Sequence, residues 1–174
     1  MTEWVALLRG VNVGGISIRS ADLRELLTGM GLEDVRTFLA SGNAAFRSPR
    51  SHEDLKPAIE AALGERFGYD AWIVLVARPD IEAAIASFPF DSDDETRQPW
   101  VIFCVDDVTR DELTEAGASG DTTTDPVAPG PAVVYWNPPK GRTTDTPFAK
   151  VIARSTYKAR TTNRNLRTLQ KIVA

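Results

Sequence analysis

An α+β fold made of two ferredoxin-like subdomains is what the sequence predicts, and three observations lead to it. Apolar, strand-like runs recur at EWVALL (3–8), DAWIVLVA (70–77), WVIFCV (100–105) and AVVYW (132–136). Between them lie stretches whose apolar residues follow helical spacing. The order from the N-terminus is β-α-β-β-α-β, and beyond residue 99 it begins again. A chain of 174 residues has room for two units of roughly 80 residues each, and the repeated order suggests an old duplication. The boundaries predicted are a subdomain over 1–78, a helix and acidic connector over 79–99, and a second subdomain with a C-terminal helix over 100–174.

Each element has its own signal. After the first strand, Ser20 is placed to cap a helix through Leu23, Leu26, Leu27 and Met30, with Gly31 as its stop. VRTFLA (35–40) and NAAFRS (43–48) read as strands joined at Ser41-Gly42. A second helix carries Leu55, Ile59, Ala62, Leu63 and Phe67. Ser51 with Asp54 resembles its capping box, although Pro57 would be more comfortable in a first turn. Pro79 opens a short helix through Ile81, Ile85 and Phe88, and PFDSDDETRQP (89–99) reads as an exposed connector. In the second half, Thr109 with Glu112 predicts a capping box, and residues 117–131 hold a poor edge strand. Thr146-Pro147 starts a helix through Ile152. An irregular stretch follows, then a final helix from about Thr162 with Leu166, Leu169 and Val173 on one face.

Composition bounds the setting. The apolar share of 43% and charged share of 25% are those of a globular protein. No stretch approaches the ~20 apolar residues of a membrane helix, and Glu3 at the head of the first strand argues against a signal peptide. A single cysteine, Cys104, excludes an internal disulfide and a cysteine-based zinc site. A reducing, cytoplasmic location is expected. The net charge of −4 is unevenly spread: residues 79–130 carry −11 and residues 140–174 carry +8. The basic segment either pairs with the acidic middle or meets an anionic ligand.

Three polar clusters stand at the ends of predicted elements. The first is Arg9, Gly10 and Asn12 with Gly14 and Gly15; the second is Ser41, Gly42 and Asn43; the third is Thr161, Thr162, Asn163, Arg164 and Asn165. Glycines let a backbone adopt positive φ and approach a ligand closely, and successive N–H groups can cradle an anion. Arg9 adds a planar, permanently charged fork. The spacing fits neither the dinucleotide fingerprint nor the phosphate loop, and a wide turn with Arg9 in a salt bridge would also satisfy it. In the third cluster, Arg164 in the first turn of a helix opposes the helix dipole unless something negative lies nearby. Arg160 and Arg167 make that patch more basic.

LLRGVNVGG, the following DLRELLTGMGLEDVRTFLASGNAAF and the terminal TTNRNLRTLQKI together resemble a bacterial family filed as domain of unknown function 1697. The resemblance runs over nearly the whole chain. It implies a two-subdomain α+β fold, carries no established activity, and places its hallmark positions on Arg9, Gly10, Asn12, Gly14, Gly15, Ser41, Gly42, Asn43, Arg164 and Asn165. The sequence departs from the family pattern at Ile16, where a basic residue is usual, at Ala40 in place of Gln, and at Leu166 in place of Trp. The first change weakens the case for a strongly anionic ligand, and the last removes a stacking surface.

Catalytic candidates are few. His52, the only histidine, is expected in an exposed first turn. Cys104 reads as a small buried residue rather than a reactive thiol. Asp106-Asp107 could bind a metal or act as a base but suits a solvated strand end, and residues 91–95 lack the glycine and final glutamate of a calcium loop. No metal site is expected, and any cofactor is undetermined. Trp4, Trp72, Trp100 and Trp136 could stack bases or simply form core.

Three functions compete. A cleft lined by Arg9, Asn12, Asn43, Thr162, Arg164 and Asn165 would bind a small anionic or polar molecule, such as a nucleotide or phosphometabolite. The basic C-terminal segment could instead track the phosphates of a nucleic acid. The clusters could also brace a structural or protein-interaction unit. The first is preferred, because glycine, Arg and Asn suit a pocket better than a flat track and the acidic middle repels a long polyanion.

Overall fold

The computed structural model describes residues 1–12, 15–38 and 41–174, so Gly14 and Ala40 lie outside the described residues. The chain divides into two compact units, Met1–Ile81 and Glu82–Ala174.

In the first unit, β1 (Thr2–Leu8), α1 (Ser20–Gly29), β2 (Glu33–Phe38), β3 (Asn43–Ser48), α2 (His52–Phe67) and β4 (Ile73–Ala77) follow in order. The sheet order is β2-β3-β1-β4, with antiparallel pairing throughout. That is the ferredoxin-like arrangement. Strand alternation turns Ala6, Leu8 and Phe46 to the face covered by Leu23, Leu27 and Ile59 of the two helices. One element differs from expectation at its start. Ser20 is the first helical residue, and Arg19 precedes it without a side-chain cap. Ser51 does cap α2, accepting from the Asp54 N–H, and Pro57 is tolerated inside that helix. α1 ends as Gly31 predicts: at φ +80 its N–H reaches the Thr28 carbonyl while the Leu32 N–H reaches that of Leu27, a Schellman close.

α3 (Arg78–Ala86) carries the chain into the second unit. Tyr135 donates to the Ala84 carbonyl at 2.6 Å, and Phe88 meets the Tyr135 ring edge-on. Then come β5 (Trp100–Cys104), α4 (Asp107–Ala118), β6 (Val127–Gly130), β7 (Val133–Trp136), α5 (Pro147–Ile152), α6 (Ser155–Lys158), β8 (Thr161–Asn165) and α7 (Leu166–Val173). The order β6-β7-β5-β8, again antiparallel, repeats the first sheet's topology. Ile102, Val134 and Trp136 pack with Leu113 of α4 and with Phe148 and Ile152 of α5.

Three expectations for this half are corrected. Asp106, not Thr109, caps α4: its carboxylate accepts from both the backbone N–H and the hydroxyl of Thr109. The stretch expected to be irregular contains α6. Most consequentially, Thr161–Asn165 is a strand paired with β5, and the last helix begins at Leu166. Among the described residues, no helix is long and apolar enough to cross a membrane.

Candidate functional site

The glycine stretch after β1 is a loop that closes on itself. Gly10, Asn12 and Gly15 all have positive φ, a conformation cheap for glycine and tolerable for asparagine. The Asn12 N–H reaches the Ile16 carbonyl at 2.7 Å. Its side chain accepts from the Ile18 N–H at 2.9 Å and donates to the Ile18 carbonyl at 3.3 Å. Arg9 sits beside this loop, half-buried, with its N–H bonded to the Trp72 carbonyl. The Arg9 guanidinium carbon lies 5.9 Å from the Trp72 ring centroid, and Lys56 Nζ lies 5.7 Å from it, both within cation–π range. Arg9 Nε is buried without a hydrogen-bond partner among the described residues, and burial pulls the guanidinium pKa below its usual value.

The hairpin tip adjoins this loop. The Gly42 carbonyl accepts from the Leu8 N–H at 2.8 Å. A Cβ at Gly42 would lie 2.6 Å from Val11 Cγ2 and 2.9 Å from Leu8 Cβ. Asn43 is fully buried and donates to the Phe38 carbonyl at 3.0 Å and to Ser41 Oγ at 2.7 Å. The first two clusters thus come together, and the side chains of Asn12 and Asn43 hold the two turns in shape.

The third cluster belongs to the second unit and is not a helix start. Thr162 stands opposite Phe103, and Arg164 opposite Val101, on one face of β8. Arg164 is 4% exposed and donates to Thr162 Oγ1 at 2.7 Å and to the Asn163 carbonyl at 2.9 Å. Burial lowers its pKa to about 10, so it stays charged at neutral pH. The helix-dipole argument for Arg164 therefore fails, because its backbone belongs to a ladder. Asn165 is the residue that caps α7, accepting from the Arg167 N–H at 2.9 Å.

A feature the sequence did not reveal lies next to that cap. A cleft of about 380 Å³ is lined by Glu95, Arg97, Gln98, Lys140, Asn165 and Arg167. The acidic connector forms one side by zipping against the chain after β7: Arg97 bridges Pro139, the Gln98 N–H reaches the Pro138 carbonyl, and the Lys140 N–H reaches that of Thr96. The guanidinium of Arg97 is fixed by the carbonyls of Thr123, Thr124 and Asn137. Lys140 and Arg167 are exposed and make no ion pair among the described residues. The one signal in the sequence was the excess of basic residues from Lys140 onward.

A protein-family model described as "Protein of unknown function (DUF1697)" matches residues 1–135. The chain belongs to the DUF1697 family. No curated protein matches it. Among solved structures it is similar to one described as the conserved bacterial protein SP0830 from Streptococcus pneumoniae. The TM-score is 0.81 at 25% sequence identity, over 99% of this chain and 97% of that one. The DUF1697 match includes the glycine loop and the hairpin, whereas Lys140, Asn165 and Arg167 lie beyond its last matched residue.

The remaining polar candidates of this DUF1697 chain have structural duties. His52 begins α2 half-buried, its ring 6.1 Å from that of Trp4, where an exposed residue was expected. Asp106 is held below the ordinary carboxylate range by its bonds to Thr109, as a cap should be. In residues 91–95, Asp91 and Asp94 accept from the N–H groups of Asp93 and Thr96. No group of three or more His, Cys, Asp or Glu that could hold a metal occurs among the described residues. Of the tryptophans, Trp136 is buried in the second core, and Trp4 and Trp100 pack partly buried against their respective cores. Basic and acidic segments meet where Arg160 pairs with Glu112 at 2.8 Å.

Cys104 is buried on β5, and desolvation pushes its thiol pKa up to about 12. The neutral thiol is therefore favoured in the folded chain. Its contribution to stability is present below the ordinary value of 9.0 and is lost as pH climbs from there toward about 12. Alkylation by iodoacetamide at pH 8 should be at least ~100-fold slower in the native protein than in urea, because the thiolate fraction is suppressed. Equal rates would show that the strand opens readily.

Proposed function

We propose that this protein binds a small anionic metabolite, a nucleotide or phosphometabolite, with the anionic group held in the cleft beside the start of α7. The observation that carries this reading is the charge of the cleft. Three cations line it against one carboxylate, in a protein whose net charge is −4. Arg97 is already immobilised by three carbonyls, so its charge is in place before a ligand arrives. Lys140 and Arg167 add mobile donors suited to phosphate or carboxylate. The amide of Asn165 spends its oxygen on the Arg167 N–H and keeps an NH₂ group for a guest. In the first unit, Arg9 retains donor capacity at Nε.

A thermal-shift panel of nucleotides and phosphorylated metabolites tests this. A binder at 100 times its dissociation constant should add ~2.7 kcal/mol to stability. The double variant Lys140→Ala/Arg167→Ala should fold normally and weaken that binder by roughly a hundredfold or more, since each lost charge-assisted contact is worth ~1.5–3 kcal/mol in a well-formed site. An unchanged affinity would overturn the placement. Retention of RNA or DNA with an affinity falling steeply in salt, and no small binder, would favour the nucleic-acid reading instead.

A further inference from the structure

Resting on the anion-binding reading, we infer that the cleft of the second unit takes a phosphorylated polyhydroxyl compound of monosaccharide size rather than a nucleotide. Three features of the lining carry this. First, no aromatic side chain is among the described residues that line the cleft. A nucleotide site ordinarily offers its base a stacking surface. Trp100, the nearest indole in sequence, packs against the core of its unit.

Second, the polar groups are of two kinds. Arg97, Lys140 and Arg167 can hold a phosphate. Glu95, Gln98 and Asn165 stand among them. A carboxylate in an anion site is unfavourable unless the ligand also presents donors to it. Glu95 makes no ion pair with the neighbouring cations among the described residues, so its oxygens remain acceptors. Sugar hydroxyls both donate and accept, which suits one carboxylate and two carboxamides.

Third, the volume of about 380 Å³ is near the small end of the range for ligand pockets, ~300–1,000 Å³. A single phosphorylated sugar fits within it.

The experiment is a calorimetric titration of the full chain with glucose 6-phosphate, fructose 6-phosphate, ribose 5-phosphate, glucose, inorganic phosphate and AMP. At least one sugar phosphate should bind about tenfold or more tightly than inorganic phosphate, free glucose and AMP. Glu95→Ala should remove most of that advantage while leaving inorganic phosphate bound at least as tightly as before, because a repelling carboxylate is gone. Lys140→Ala/Arg167→Ala should weaken sugar phosphate and inorganic phosphate alike. All three residues are exposed, and unchanged melting temperatures without ligand would verify folding. If AMP binds best and Glu95→Ala has no effect, the sugar class is wrong while the anion site stands. If no probe binds, or binding ignores the Lys140/Arg167 variant, both proposals fall.

Discussion

Replacing Asp125 with alanine is expected to destabilise the second unit by about 3–5 kcal/mol, read as a fall in the urea midpoint at unchanged slope. Asp125 is 2% exposed and serves two donors at once. One oxygen accepts from the indole N–H of Trp136, and the other accepts from the Phe148 N–H at 2.8 Å. The second bond matters because Phe148 lies in the first turn of α5, where backbone donors have no partner within the helix. Thr146 satisfies the Ala149 N–H, and Asp125 reaches across from the loop before β6 to satisfy another. Truncation strands two buried donors, each costing roughly 1–3 kcal/mol, and the loss of a charged acceptor lies at the upper end. Asp125→Asn separates the contributions. Its oxygen can still serve Trp136, but its NH₂ would then face the Phe148 N–H, donor against donor, so about half the loss should persist. A cost under about 1 kcal/mol for Asp125→Ala would mean that water substitutes for the carboxylate and that the anchor is not structural.

Asp125 also shows where the sequence stops being legible. Thr146-Pro147 announced α5 because capping is local: the hydroxyl and the N–H it serves lie within one turn of each other. The carboxylate that completes the same helix start comes from a Gly, Asp, Thr and Pro-rich stretch that looked only like a poor edge. Nothing in the spacing of Asp125 and Phe148 records their meeting. The same contrast runs through the fold. β1, β3, β5 and β7 could be read because both faces or one whole face are apolar. β8 could not, because it is an edge strand joined to the sheet through β5 alone. Its buried face carries Thr162 and Arg164 instead of aliphatic residues, so the alternation that marks a strand is invisible to a hydrophobic pattern. Read as TTNRN, it offered caps, and a helix was placed four residues too early on that basis.

The candidate site divides along the same line. The glycine loop and the hairpin were visible as clusters because positive φ demands glycine or asparagine. The asparagines' function in holding the turns was not, since Asn12 and Asn43 have the same composition whether they face a ligand or their own backbone. The cleft was hidden altogether. Its lining comes from the connector, from the turn after β7 and from the start of α7, and backbone pairing between segments some forty residues apart, at Arg97–Pro139, Gln98–Pro138 and Thr96–Lys140, brings the first two together. Charge statistics hinted that the C-terminal segment wanted an anion without saying which of its nine basic side chains would border an opening.

Gly42→Ala is expected to cost about 2–4 kcal/mol, and Gly31→Ala only about 1 kcal/mol, though both glycines have nearly the same backbone conformation. Gly42 has φ +78 and Gly31 φ +80, so the penalty of placing a Cβ in the left-handed region is shared, and their difference isolates packing. At Gly31 nothing lies within 4 Å of the added carbon, whereas at Gly42 it would strike Val11 and Leu8. Neither neighbour can yield cheaply. Leu8 Cβ is fixed by a strand whose N–H is bonded to the Gly42 carbonyl itself. Val11 is 2% exposed and bridges to Ile16 across the glycine loop. Relief would require the hairpin tip to withdraw, breaking the 2.8 Å bond from Leu8 and loosening the loop that carries Arg9. The larger variant should therefore show faster amide exchange at Leu8 as well as a lower midpoint, because the strained contact and the hydrogen bond are the same junction. Equal costs for the two variants, with Leu8 still protected, would show that the glycine loop and the hairpin tip are not packed as one braced structure, and the role assigned here to Asn12 and Asn43 would lose its basis.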